Sequence, residues 1–340
     1  RPKGLHDIRG LEIAMRGRVV LLVATAAVGA RLFVPLQAST GPIPLNCPRA
    51  CLENVMDLYL RALVKHDPKI PLFSEDIKYT ENAQVMKIGD GYWKTAQAVG
   101  SYRHIFADPG AGQVAMMGTM WEADTLFLMS LRLRIELGRI TEAEAVFFKP
   151  GGGGPNNIQS VDDQGVADGI WFRTIPPEKR LPRQQMISIA DAYFSGVQKN
   201  DGKGVNGTGT YPFTPDCHRI ENGSPTTNVP NNPGPFGMDC LSAFKMGYYF
   251  VVQAVHDRRY PLVDAERGIV WAHCVFDQGT VNSGTLSNGQ PYTYPGFNRP
   301  GSILVTEAFL IEDAKIRRVE MIGPAAVYHV NSPWGGLSGN

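Results

Sequence analysis

The chain has 340 residues, 43% hydrophobic and 19% charged, a globular composition that excludes wholesale disorder and a length that suggests about two domains. Lys and Arg number 33 against 32 Asp and Glu, so no net field draws the protein to phosphate, and nucleic acid is not an expected partner. With 37 Gly and 25 Pro the chain must be rich in turns and loops, and the expected partner is a small-molecule ligand or substrate.

Arg16 and Arg18 precede an apolar run from Val19 to Ala30. A basic start and about a dozen apolar residues suit an export signal, whereas a membrane span needs about 20. Residues 1–45 are therefore expected to be an N-terminal extension and signal segment, leaving a secreted or periplasmic protein with no stable membrane span. The cysteines, Cys47, Cys51, Cys217, Cys240 and Cys274, lack the paired spacing of a zinc site, and export makes disulfides available. Cys217 and Cys240 bracket a Pro/Asn/Gly-rich stretch and are expected to pair. Cys47 and Cys51 either pair with each other or stay free, and Cys274 reads as a buried strand thiol.

Apolar residues at 52, 55, 56, 59, 60 and 63 mark one face of a helix that closes at His66-Asp67-Pro68. The tetrad Tyr79-Thr80-Glu81-Asn82 follows, and then alternating strands over Leu126 to Glu136 and Glu142 to Phe148. After the Gly151–Gly154 run, which lacks the Lys-Ser/Thr of a phosphate loop, the order repeats. A helix spans Met186 to Val197, the tetrad is Arg219-Ile220-Glu221-Asn222, and the strands run over Ser302 to Glu312 and Val319 to Ile322. Glu136/Glu312, Ile140/Ile316 and Glu144/Glu320 fall in step, which reads as a tandem duplication. The expected domains are 46–150 and 184–325, joined by a linker over 151–183. A tail over 326–340 is placed to fold over a cavity mouth.

A helix, a crossover and then long hairpins predict an α+β fold, each half a curved antiparallel sheet wrapped around helices with a cone-shaped cavity. This order, with the Gly138-Arg139-Ile140-Thr141-Glu142-Ala143-Glu144-Ala145 hairpin, resembles the NTF2-like (SnoaL-like, cystatin-like) fold, present twice. The strings Tyr211 to Cys217 with Arg219, Glu221 and Asn222, then Asp257 to Asp264 and Glu266-Arg267-Gly268, resemble a group of duplicated NTF2-like proteins in bacteria and fungi. The resemblance covers roughly residues 50–325 and implies no single activity, because the fold hosts isomerases, dehydratases, hydrolases, lyases and binders.

The candidate catalytic residues are Glu221, His273, Asp277 and His218. A carboxylate shielded in a cone gains basicity, and period-two alternation puts His273 and Asp277 on one strand face, as an acid–base pair would need. Arg219, Asn222, Tyr193, Tyr79, Glu81, His104 and Trp121 are the candidate substrate contacts. Glu81 and Glu221 could equally tie down their crossovers by hydrogen bonds. The cluster Asp257, Arg258, Arg259, Asp264, Glu266 and Arg267 reads as a network pinning its hairpin, the other reading being a carboxylate receptor. No His-x-His, His-x-x-x-His or Gly-x-Ser-x-Gly pattern occurs, so no metal, no other cofactor and no serine nucleophile is expected. The function expected is an exported, cofactor-independent isomerase, dehydratase or lyase acting by general acid–base chemistry on a small, apolar, oxygenated molecule, aromatic ones included. The alternative is a non-catalytic binding or scaffolding protein built from two cones. A homodimer is possible in either case.

Overall fold

The computed structural model describes residues 43–335 except 71, 152–155 and 297. The expected export segment lies outside the described residues. Helix α1 (Arg49–Val64) leads to strands β1 (Phe73–Glu81), β2 (Gln84–Met86), β3 (Ala96–Asp108), β4 (Gln113–Glu122), β5 (Thr125–Glu136) and β6 (Arg139–Phe148). The 151–183 segment contains helix α2 (Ile158–Gln164) and two short 3₁₀ turns, and its Trp171 is buried between the sheets. There follow α3 (Arg183–Val197), β7 (Phe213–Glu221), β8 (Ser224–Pro225), α4 (Cys240–Met246), β9 (Val252–Asp264), β10 (Ile269–Gln278), β11 (Ser283–Thr285), β12 (Pro291–Thr293), β13 (Gly301–Glu312), β14 (Lys315–Ile322) and β15 (Ala325–Ala326).

The fold is mixed α+β, with two curved sheets and few helices. Strand order is β2-β1-β6-β5-β4-β3 in one sheet and β8-β7-β14-β13-β10-β9 in the other. In both, the first long strand pairs parallel to the last, and every other pairing is antiparallel. Register shifts in β3 against β4 and in β9 against β10 are bulges of the kind that bend a sheet. The pairing registers equate Tyr79 with Arg219, Glu81 with Glu221, Ser130 with Thr306, Leu131 with Glu307, and Glu144 with Glu320.

The stripe read from sequence in α1 is the buried one, Leu52, Val55, Met56, Tyr59, Leu60 and Leu63, and the second predicted helix, α3, buries Met186, Ala190, Tyr193, Phe194 and Val197. Each packs into the inner face of its own sheet, and burying each large apolar side chain contributes about 1.5–3 kcal/mol. After each tetrad the Asn turns the chain in the left-handed region, Asn82 at φ 44° and Asn222 at φ 48°. Its side-chain amide then brackets the neighbouring strand: Asn82 accepts from Phe147 N at 2.7 Å, and Asn222 accepts from Gly323 N at 2.9 Å.

The outer faces of the two sheets meet in a shared core of Tyr102, Phe106, Met117 and Leu128 against Leu262, Trp271 and Leu310. The polar contacts here are reciprocal. Ser130 Oγ donates to Thr306 Oγ1 at 2.9 Å between equivalent positions, Arg259 of β9 pairs with Glu144 of β6, and His104 of β3 pairs with Glu320 of β14. Residue i meeting j while j′ meets i′ is the pattern of an isologous interface, here within one chain.

Disulfides join Cys47 to Cys51 and Cys217 to Cys240, and Cys274 is a free, buried thiol. Among the described residues no helix is long and apolar enough to cross a membrane. Among the described residues, the tail does not close a cone mouth. It crosses the seam between the sheets, where Trp334 Nε1 donates to Thr80 Oγ1 and Ser332 N to Asp257 Oδ2. The charge cluster is a network: Arg258 and Tyr260 bond Asp191, and Arg49 bonds Asp264 and Glu266.

Candidate functional site

The inner faces of the two sheets hold different side chains. In the first, Tyr59, Phe73 and Trp93 pack edge to face with centroids 5.2–5.9 Å apart, and Leu131 is buried in the same core. In the second, a cavity of about 830 Å³ opens beside α3, walled by Phe236, Tyr249, Phe276, Tyr292, Tyr294 and Met321. Its size is that of a site for a small organic molecule.

Arg219, Glu221, Glu307 and Tyr193 converge on this cavity. Arg219 and Glu221 come from β7, whose alternation turns both inward. Arg219 is buried, donates to Tyr249 Oη at 2.6 Å, pairs with Glu221, and lies 4.8 Å from the Tyr249 ring centroid. Glu221 also accepts from Thr226 Oγ1 at 3.0 Å. Glu307 projects from β13, only 2% exposed. Tyr193 stands beside it from α3 and favours its ionised form, while Glu307 Oε2 is buried without a partner. Burial, reinforced by the negative charge of Glu221, pushes the Glu307 carboxyl up to about 8 against the pull of Arg219 and Tyr193. Glu307 therefore carries a proton at neutral pH yet can release it, the property of a general acid or base. Arg219 stays charged, with Tyr193, Tyr249 and the carboxylates outweighing its burial.

Of the residues expected from sequence, Glu221, Arg219 and Tyr193 meet here. Asn222 borders the cavity, but its amide is occupied by the Gly323 backbone. His273 and Asp277 do share a strand face, but it is the outer one, because Ala272, Cys274 and Phe276 take the inner positions. His273 lies in the seam, receiving Trp271 Nε1 at 3.0 Å and standing 3.6 Å from Glu144. Burial pushes its imidazole down to about 3, so it is neutral and enclosed. Asp277 binds Ser302 and His329 instead. The acid–base pair expected with Glu221 is therefore split by the thickness of the sheet. His218, one residue out of phase with Arg219, is exposed beside Asn228.

The remaining candidates belong to the first half. Tyr79 donates to Glu81, which also accepts from Tyr92 N at 2.7 Å, so this acid ties down its crossover. His104 faces Glu320 across the seam, and Trp121 packs on the seam core. Glu307 was missed by sequence reasoning. Its signal was one acid inside the apolar run Ile303 to Ile311, a rare occupant of a buried strand.

A family model described as a domain of unknown function (DUF8021) matches residues 179–323, the half that contains the cavity. No curated protein matches the chain. Similar solved structures include an NTF2-like protein of Cytophaga hutchinsonii, 13% identical, covering 28% of this chain and 89% of its own, with a TM-score of 0.25. Another is a de novo designed protein with a curved β-sheet, 12% identical, covering 42% of this chain and 87% of its own, also with a TM-score of 0.25.

Proposed function

We propose that the chain is an exported protein of two NTF2-like units in which the second unit binds a small, apolar, oxygenated molecule and transforms it by proton transfer. The observation that carries this reading is Glu307: a carboxyl poised near neutral pH, with an unpartnered oxygen, in a cavity walled by aromatic rings. Such an oxygen is costly to leave unpaired, and a ligand carbonyl or hydroxyl would satisfy it. In this reading Glu307 moves the proton, Tyr193 orients it, and Arg219 with Glu221 fixes the polar end of the ligand. The chemistry open to these groups is isomerisation, dehydration or a retro-aldol type of cleavage, with no added cofactor. Two disulfides are compatible with an oxidising compartment and support export.

The test is deuterium uptake. The protein is incubated in D₂O with a panel of cyclic and aromatic ketones, and label at the α-carbon is read by mass spectrometry. Wild type should catalyse exchange for a subset that also binds, and Glu307→Gln should lower exchange at least 100-fold with binding retained. Binding without exchange in wild type would overturn the enzymatic part and leave a small-molecule binder.

A further inference from the structure

On the outer face of the second sheet a second cluster gathers His256 of β9, Asp277 of β10 and His329 of the tail. One ligand atom from each lies within 4.8 Å of the other two. We propose that these three side chains form a binding site for a zinc-class divalent cation that clasps the C-terminal tail to the sheet.

The geometry is close to that of a metal site before the ion enters. Around a tetrahedral ion with bonds of about 2.0–2.1 Å, neighbouring ligand atoms stand about 3.3 Å apart. His256 Nε2 is 3.4 Å from Asp277 Oδ2, and it is buried without a hydrogen bond of good geometry. His329 Nδ1 is 2.6 Å from the same oxygen. It therefore has to withdraw by under about 1 Å to reach ligand spacing. It has room to do so, since its side chain is 64% exposed and belongs to the tail.

The surroundings fit as well. Ser302 Oγ donates to Asp277 Oδ1 at 2.6 Å, fixing the carboxylate and leaving Oδ2 for the ion. Behind His256, Asp257 Oδ2 lies 3.6 Å from Nδ1, the place of the carboxylate that commonly orients a ligating imidazole. A bulge in β9, with Asp257 at φ 53°, brings both side chains to this corner. Two carboxylates balance a divalent charge, and two imidazoles with one carboxylate favour zinc over calcium or magnesium. Three protein ligands with His329 at the surface leave the fourth position to water.

The spacing of these residues in sequence hides the site, because two ligands are joined by strand pairing and the third arrives with the tail. The next described residues of the tail already follow this course, with Ser332 on Asp257 and Trp334 on Thr80.

The test is calorimetric titration of chelator-treated, full-length protein with zinc chloride, repeated with cobalt chloride to read the ligand field. One equivalent should bind with a micromolar or tighter dissociation constant and a low-coordinate cobalt spectrum. His329→Ala and His256→Ala should each weaken binding at least 10-fold, and His218→Ala should not. Zinc should also slow carboxypeptidase trimming of the tail in wild type but not in His329→Ala, a surface variant that tests the site without burdening folding. Absence of uptake, or uptake undiminished in both histidine variants, would overturn the proposal and leave Asp277 and His329 as an ion pair.

Discussion

Replacing Glu307 by Gln tests the electrostatics of the cavity without a ligand in hand. An ordinary glutamate ionises near 4.5, and this one does so at about 8 in the folded chain. Below pH 4.5 the carboxyl is neutral in both states and costs nothing. Between the two values only the unfolded chain ionises, so wild-type stability falls as pH rises. At about 1.4 kcal/mol per pH unit, the loss is on the order of 4 kcal/mol by pH 8, and it levels off above that. Gln keeps the shape and the Tyr193 contact but cannot titrate. Urea denaturation of both proteins from pH 4.5 to 9 should show the variant gaining on wild type through this window, and the difference curve should isolate the one carboxyl. A difference that does not change with pH would refute the buried, protonated Glu307 and with it the acid–base reading of the site.

Arg219→Met should cost about 2–3 kcal/mol in urea denaturation, because it removes the buried partner of the half-buried Glu221 carboxylate, and Glu221→Gln added to it should restore part of that loss. Acid should weaken the seam: the unfolded chain protonates its histidine below about 6.5 while folded His273 resists down to about 3, so wild-type stability should fall with pH through that window and the fall should be shallower in His273→Gln. Cys217→Ser should lower stability by about 3 kcal/mol, since its bridge closes a 23-residue loop, and thermal unfolding with and without reductant would read it. Glu307→Leu, which gives the second unit the residue of the first, should fold well and abolish ligand binding. Retained binding in that variant would move the polar end of the site elsewhere.

The helical stripes, the repeated order of elements and the Glu-Asn crossovers were legible because each is local: a period of 3.6, a period of 2, or a tetrad recurring in register. Alternation correctly put His273 with Asp277 on a common strand face. Which face looks into the cavity was not legible, because β10 is buried on both sides, one packing on α3 and the other on the opposite sheet. Glu81 and Glu221 look alike in sequence, yet one supports a turn and the other lines a cavity, since Tyr79 and Leu131 stand where Arg219 and Glu307 stand. The sequence by itself determined the two α+β halves and the pairing of Cys217 with Cys240. Only the tertiary structure decided that Glu307 is the proton-bearing group and that His256, Asp277 and His329 meet, because burial and strand pairing are set by residues far apart along the chain.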